Sequence, residues 1–175
     1  MLTDLHVMGD YWQADAASPT ELGRLVAAAK DHGDEHALRQ LEAQLSAFVL
    51  DLDVALAPIV AAVPPGPGRE AHPVPSLAAC VAEALDVDAV GAVLTRAHET
   101  PRLRDTPAER RRDVVIAAGY EVNADVRDRD VVLVDDVLLT GTTLRHLAEL
   151  LTDAGASSVV GVVAARTRLA GGDAG

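Results

Sequence analysis

The stretch of residues 131–144 constrains the fold of this chain more than any other part of it. It reads Val-Val-Leu-Val-Asp-Asp-Val-Leu-Leu-Thr-Gly-Thr-Thr-Leu, so an apolar run leads into two adjacent carboxylates and then into a threonine-rich loop with one glycine. A continuous run of β-branched and aliphatic residues is typical of a strand that is buried on both faces of a parallel sheet. The stretch therefore predicts a buried strand, a short loop and a helix that begins at about Thr142.

The loop that follows this strand has the chemistry of an anion site. Open α/β sheets bind ligands at the carboxyl ends of their strands, and free N–H groups at the start of a helix attract phosphate. Two carboxylates would repel a phosphate alone, but they accept hydrogen bonds from hydroxyl groups and bind divalent metals. Asp135 and Asp136 therefore indicate a sugar phosphate with Mg2+. The alternative, two acids that favour the positive end of a helix, leaves the Thr-Gly-Thr-Thr segment unexplained.

Composition and charge narrow the class of protein. The chain has 175 residues, of which 49% are apolar and 2% aromatic, so one domain with a core of Ala, Val and Leu is expected. The net charge of −12 weighs against direct binding of nucleic acid. Cys80 is the only cysteine, which excludes a disulfide within the chain. The sequence shows neither a signal-peptide pattern nor an apolar segment of about 20 residues, so no membrane contact and a cytoplasmic location are expected.

Helices and buried strands are expected to alternate along the chain. Ser18 is the predicted cap of the first helix, with Pro19 in its first turn and Glu21 completing a capping box. Residues 1–17 predict at most a short strand or arm around Tyr11 and Trp12. The other predicted helices are 35–51, 75–86 and 142–153, and the other predicted strands are 57–63, 89–94, a part of 114–122 and 158–165. This alternation favours a single α/β domain with a Rossmann-like parallel sheet flanked by helices.

Three further segments carry candidate binding groups. Residues 64–69 follow a predicted strand, and they form either an ordinary loop or a second anion-binding loop with Arg69 as its charge. Residues 95–112 hold six arginines in an otherwise acidic protein. That segment is either a solvated face or a lid that closes over a ligand. Lys30 is the only lysine, and it either ends a helix or contributes to the site.

Residues 132–143 resemble the signature of type I phosphoribosyltransferases, which bind 5-phosphoribosyl 1-pyrophosphate (PRPP). Over most of residues 10–168 the chain is similar to the ComF family of phosphoribosyltransferase-like competence proteins, without the cysteine-rich zinc module of many members. The segments 25–34, 94–111 and 154–166 carry this similarity. Two departures from the family pattern are Leu139, where a small or hydroxyl residue is usual, and Ala-His-Pro at 71–73, where the pattern has Arg-Gly.

The resemblance implies a type I phosphoribosyltransferase fold with an amino-terminal hood of residues 1–52, a core of 53–168 and a disordered tail of 169–175. It implies that Asp135 and Asp136 are catalytic, hold the ribose hydroxyls and bind Mg2+, and that Arg96 acts in a flexible catalytic loop of residues 96–112. The implied substrate-binding residues are Leu139, Thr140, Gly141, Thr142 and Thr143 around the 5-phosphate, Pro65, Gly66 and Arg69 around the pyrophosphate, and Lys30.

The expected function is transfer of the phosphoribosyl group from PRPP to a nucleobase-like or amine acceptor, with release of pyrophosphate. This hypothesis predicts that Asp136→Asn abolishes turnover with little loss of stability. The alternative is a catalytically weak PRPP- or nucleotide-binding module with a regulatory or DNA-uptake role. A homodimer is the usual assembly of similar proteins. A generic Rossmann nucleotide-binding protein is disfavoured, because the first strand is followed by no Gly-x-Gly-x-x-Gly and the chain has no Walker lysine.

Overall fold

The computed structural model of the protein describes residues 1–15, 17–52, 58–66, 72–87 and 92–167. Within these ranges the strands are β1 (Asp4–Asp10), β2 (Ile59–Ala62), β3 (Leu94–Arg96), β4 (Tyr120–Val122), β5 (Asp130–Leu138) and β6 (Ser158–Arg166). The α-helices are α1 (Glu21–Asp31), α2 (Glu35–Leu50), α3 (Pro73–Ala84), α4 (Arg111–Ala117) and α5 (Thr142–Asp153). Two short 3-10 turns, Leu103–Asp105 and Ala108–Arg110, precede α4.

The central sheet is parallel and has the strand order β1-β6-β5-β2. The strand predicted from the apolar run, β5, lies between β6 and β2. Its pairing with β2 joins Ile59 to Val131 and stops where Ala62 meets Val134, whereas β5 itself continues to Leu138. The last four residues of β5 therefore project beyond β2, and both acids lie on this projecting end.

Helices cover both faces of the sheet, as the sequence predicts. Successive residues of a strand point to opposite faces, so Leu133 packs with the buried leucines of α5 on one face. Val132 and Val134 pack on the other face with the buried side chains of α1, α2 and α3. The two layers of apolar side chains confirm the predicted fold class, a parallel sheet flanked by helices in one α/β domain.

The amino-terminal segment differs from its prediction in two respects. Residues 4–10 form a full edge strand, β1, which pairs with β6, where only a short strand or arm around Tyr11 and Trp12 was expected. Thr20, and not Ser18, caps α1, because the Thr20 hydroxyl accepts a hydrogen bond from Gly23 N at 2.9 Å. β1 joins the core sheet directly, and the division into hood, core and tail stays a prediction.

The segment between α3 and β5 also differs from its prediction. A strand was expected at 89–94, and residues 88–91 lie outside the described ranges. Among residues 92–94 only Leu94 is in a strand, where β3 pairs antiparallel with β4 outside the main sheet. The strand expected within 114–122 is limited to β4, because residues 114–117 belong to α4. The predicted helices 35–51 and 142–153 are confirmed to within one residue.

Within the described part of the chain, no helix is both long enough and apolar enough to cross a membrane. The cytoplasmic location stays a prediction. The predicted tail, residues 169–175, lies outside the described residues.

Candidate functional site

A cleft of about 1040 Å³ opens at the carboxyl edge of the parallel sheet. It is bounded by the projecting end of β5, the loop before α5, the segment after β2, helix α1 and the arginine-rich segment after β3. The predicted site residues that line it are Lys30, Pro65, Gly66, Arg96, Asp135, Asp136, Leu139, Thr140, Gly141, Thr142 and Thr143. The remaining predicted residue, Arg69, lies outside the described residues.

The loop between β5 and α5 presents polar groups to this cleft. Gly141 has the left-handed backbone conformation (φ +70°) that glycine adopts without strain, and within the described residues no side chain caps α5. The first N–H groups of α5 are therefore open to a ligand. The Thr140 and Thr142 hydroxyl oxygens lie 2.8 Å apart, and Arg145 Nη2 donates to Thr140 O at 2.9 Å. Residues 139–143 are half-buried. The loop therefore packs against the protein on one side, and its polar groups stay accessible to an anion on the other.

The two acids at the end of β5 have different surroundings. Asp135 is half-buried on the side of Tyr120, and its Oδ1 accepts a hydrogen bond from Asp136 N at 2.9 Å. Burial, followed by the neighbouring Asp136 carboxylate, raises the pKa of Asp135 well above its ordinary value. Asp135 therefore presents to the cleft a carboxyl group whose ionised form is destabilised in the free protein.

Asp136 is almost fully buried, and two side chains from the face of the sheet that α1 and α3 cover lie close to its carboxylate. Lys30 Nζ, in the last turn of α1, lies 2.6 Å from Asp136 Oδ2. His72 Nε2 lies 3.9 Å from the same oxygen, and His72 Nδ1 accepts the hydrogen bond from Val74 N that caps α3. Lys30 therefore belongs to the site through its ion pair with Asp136. Sequence analysis did not assign His72 to the site, although the departure from the family pattern at 71–73 marks this position.

Arg96 is positioned beside the loop that follows β2. Its Nη2 donates to Thr100 Oγ1 at 2.6 Å and its Nε donates to His98 O at 3.1 Å. The guanidinium lies 5.8 Å from the centre of the Tyr120 ring. A Cβ atom on Gly66 would lie only 3.4 Å from Arg96 Nη1. The structure thus brings together two candidate groups for an anion, one from each of two strand ends.

The arginine-rich segment is partly anchored inside the protein. Arg111 is 6% exposed, and its Nε donates to Leu103 O at 3.2 Å and to Thr106 O at 3.1 Å. The Thr106 hydroxyl donates to Arg102 O at 2.9 Å. Arg102 and Arg104 line the cleft. The segment therefore forms a wall of the cleft and has a buried anchor at Arg111, while Arg102, Arg104, Arg110 and Arg112 are exposed.

Arg111→Met is expected to lower the free energy of unfolding by about 2 kcal/mol, because two carbonyl groups lose a charged donor. Urea denaturation measures the loss, and hydrogen exchange at residues 102–106 should become faster. The control is Arg112→Met. The Arg112 side chain is 74% exposed, and its Nη2 is as far as 4.0 Å from Glu149 Oε2. Removing an exposed ion pair of this kind costs about 0.5 kcal/mol or less. Equal losses for the two variants would contradict the role of Arg111 as an anchor.

Two aromatic side chains form the amino-terminal wall of the cleft. The ring centroids of Tyr11 and Trp12 lie 5.2 Å apart, and Trp12 Nε1 donates to Thr167 Oγ1 at 3.0 Å. Tyr11, Trp12 and Thr167 all line the cleft together with Val26 and Ala27. This wall offers an apolar surface on the α1 side. Thr167 was not identified from the sequence, which offers no signal for a residue just after the last strand.

The donor groups fit a divalent metal that arrives with a phosphorylated ligand. Among the described residues, no three His, Cys, Asp or Glu side chains are grouped so that they could hold a metal ion by themselves. Mg2+ is commonly bound by one or two carboxylates together with substrate phosphate oxygens and water. Asp135 and Asp136, beside the half-buried loop of residues 139–143, would supply the carboxylates of such an arrangement.

Comparison with solved structures finds several similar chains. The chain is 16% identical to a hypoxanthine phosphoribosyltransferase from Staphylococcus aureus, covering 81% of this chain and 71% of that one with a TM-score of 0.48. It is 16% identical to an adenine phosphoribosyl transferase from Trypanosoma brucei (90% and 74%, TM-score 0.46). It is 22% identical to an allosteric regulatory enzyme of purine biosynthesis, covering 73% of this chain but only 26% of that chain (TM-score 0.47). Comparison with curated proteins finds no match.

The family assignment depends on a sequence match. Residues 76–172 match the family described as phosphoribosyl transferase domain. This range contains both acids, the loop of residues 139–143 and Arg96, and it is more than half of the chain. The chain therefore belongs to the phosphoribosyl transferase domain family.

Proposed function

We propose that the protein binds PRPP with Mg2+ and transfers its phosphoribosyl group to a nucleobase-like or amine acceptor, with release of pyrophosphate. The family match supports a transferase that uses PRPP. The observation that carries the proposal is the convergence of three groups on one cleft: the threonine-rich loop, the acid pair, and Arg96 beside Gly66. Each group suits a different part of PRPP.

The loop of residues 139–143 suits the 5-phosphate. Main-chain N–H groups at the start of α5 donate to the phosphate oxygens, and the hydroxyls of Thr140, Thr142 and Thr143 add further donors. Leu139 contributes only its main chain. Gly141 lets the backbone turn so that these donors converge on one point.

The acids suit the ribose. Asp135 lines the cleft and accepts hydrogen bonds from the ribose hydroxyls, while Asp136 donates its N–H to Asp135 and pairs with Lys30. Loss of pyrophosphate leaves positive charge on the ribose ring, and a fixed carboxylate nearby favours that charge in the transition state. Mg2+ bound by these acids and by the substrate supplies positive charge to the pyrophosphate oxygens.

Cations and a shaped wall suit the leaving group and the acceptor. Arg96 lies beside Gly66, and both belong to the proposed pyrophosphate subsite together with Pro65 and Arg69. The wall formed by residues 102–106 excludes water, which would otherwise hydrolyse PRPP. The aromatic pair of Tyr11 and Trp12 is the proposed surface for the acceptor. Membership of the ComF subfamily and a homodimeric assembly stay predictions.

Gly141→Ala is expected to weaken PRPP binding at least tenfold, because the left-handed conformation strains a residue with a side chain and the new Cβ would lie 3.2 Å from Arg145 Nη1. Titration calorimetry with PRPP and Mg2+ measures the affinity. The matched control is Gly33→Ala, which has the same type of backbone conformation (φ +63°), open space around the new Cβ and a position outside the cleft. Equal weakening by both variants would show that the loop does not bind the phosphate.

The test of the function combines binding with turnover. The wild-type protein should bind PRPP in the presence of Mg2+ and release pyrophosphate when a panel of nucleobases and amines is supplied as acceptors. Tight PRPP binding without turnover on any acceptor would instead support the binding-module hypothesis. Failure to bind PRPP at all would reject both functions.

A further inference from the structure

We propose that Lys30 is a built-in counter-ion that keeps free divalent cations away from the acid pair, so that the metal enters the cleft only together with PRPP. This inference rests on the proposed function and adds a control of metal binding to it. It concerns the ion pair between Lys30 and Asp136.

The ion pair is short, and its carboxylate is buried. Lys30 Nζ lies 2.6 Å from Asp136 Oδ2, and the side chains are 29% and 3% exposed. A carboxylate buried to this extent needs a compensating positive charge. His72 Nε2 lies farther away, at 3.9 Å. Among the described residues, Lys30 therefore lies nearer to this oxygen than His72 and supplies the closer positive charge.

The same ammonium group faces the ligand space. Lys30, Asp135 and Asp136 all line the cleft, so a cation that binds both carboxylates comes close to Lys30 Nζ. Two positive charges this close together repel strongly inside a protein, because the protein screens them much less than water does. A bare divalent cation must therefore displace Lys30 from Asp136 or bind beside it against this repulsion.

Lys30 attracts the complex of the metal with PRPP. PRPP carries one phosphate and one pyrophosphate group, so its complex with one divalent cation is still an anion. The Lys30 ammonium attracts this anion, and it can donate to a phosphate oxygen when the metal takes its place at the carboxylate. One fixed charge thus discriminates between the free metal, which is repelled, and the metal–PRPP complex, which is attracted.

The experiment measures binding of Mn2+ to the full chain by the loss of its free electron paramagnetic resonance signal. Without PRPP, wild-type protein should bind Mn2+ weakly, and Lys30→Met should bind it about tenfold more tightly because the repelling charge is gone. Lys30→Arg keeps the charge and should stay weak. Arg39→Met is the matched control, because it removes the same charge from an exposed position on α2, and it should leave Mn2+ affinity unchanged.

The outcomes separate this inference from the proposed function. Tight Mn2+ binding to the wild-type protein without PRPP would overturn the inference, and so would equal affinities of Lys30→Met and Arg39→Met. If Lys30→Met fails to fold, Lys30→Gln replaces it, since glutamine is polar but carries no charge. A protein that fails to bind PRPP with Mn2+ would instead contradict the proposed function.

Discussion

Asp135→Asn is expected to lower turnover by two to three orders of magnitude, about the effect of removing one preorganised electrostatic group from a transition state. Asparagine keeps the size of the side chain but cannot ionise, so it cannot present a negative charge to the ribose. Steady-state release of pyrophosphate measures the effect. We expect kcat to fall more than PRPP affinity, because the lost interaction strengthens as the ring becomes positive.

The same substitution is expected to stabilise the protein near neutral pH. Burial and the Asp136 carboxylate raise the pKa of Asp135 above its ordinary value of 3.8. At pH values between the ordinary and the raised pKa, Asp135 holds a proton in the folded state and releases it in the unfolded chain. The free energy of unfolding of the wild-type protein therefore falls as pH rises through that range. Asparagine does not titrate. The stability advantage of Asp135→Asn should therefore be smallest near pH 4 and should grow towards neutral pH, as urea denaturation at several pH values measures.

The control for both effects is Asp153→Asn, which removes a carboxylate from an exposed position at the end of α5. It should leave turnover unchanged, and its effect on the free energy of unfolding should be smaller than that of Asp135→Asn, because Asp153 is exposed. Wild-type turnover in Asp135→Asn would contradict a catalytic role for this carboxyl group. A stability difference that shrinks with rising pH would contradict the raised pKa.

The elements that hold the phosphate loop could be predicted because their signals are local. The apolar run of β5, the glycine that turns the chain and the amphipathic repeat of α5 each act over a few residues. The prediction failed where tertiary packing overrides local preference. Val114, Val115 and Ile116 are β-branched and favour a strand, yet they lie in α4, where Val115 faces the core and Ile116 is exposed.

The sequence predicts many of the residues that line the cleft, but it does not predict which of them contact each other. Asp135 and Asp136 lie near the carboxyl end of a strand of the parallel sheet, where ligands bind in such sheets, so their place in the cleft could be predicted. Arg96 reaches the cleft from β3, which lies outside that sheet. Lys30 and His72 come from two helices far apart in the chain, and their approach to Asp136 depends on how both helices pack against one face of the sheet. Spacing in the sequence does not encode that contact.

This contact changes what is expected of the second acid. From the sequence alone, Asp136→Asn predicts a loss of turnover with little loss of stability. In the structure it leaves the Lys30 ammonium facing a neutral amide, and breaking one side of a buried ion pair costs about 3 kcal/mol. We therefore expect a marked loss of free energy of unfolding in urea denaturation, in addition to the loss of turnover.

Two comparisons isolate the buried ion pair as the cause. Asp125→Asn breaks a pair with Arg127 that is also short, at 2.9 Å, but whose side chains are 67% and 74% exposed. We expect a much smaller loss of stability there, because water screens the charges. The double variant Lys30→Met with Asp136→Asn removes both charges, so it should be destabilised by less than the sum of the two single variants. Strictly additive losses would show that Lys30 and Asp136 do not stabilise each other. In that case Lys30 could not serve as the counter-ion of the acid pair.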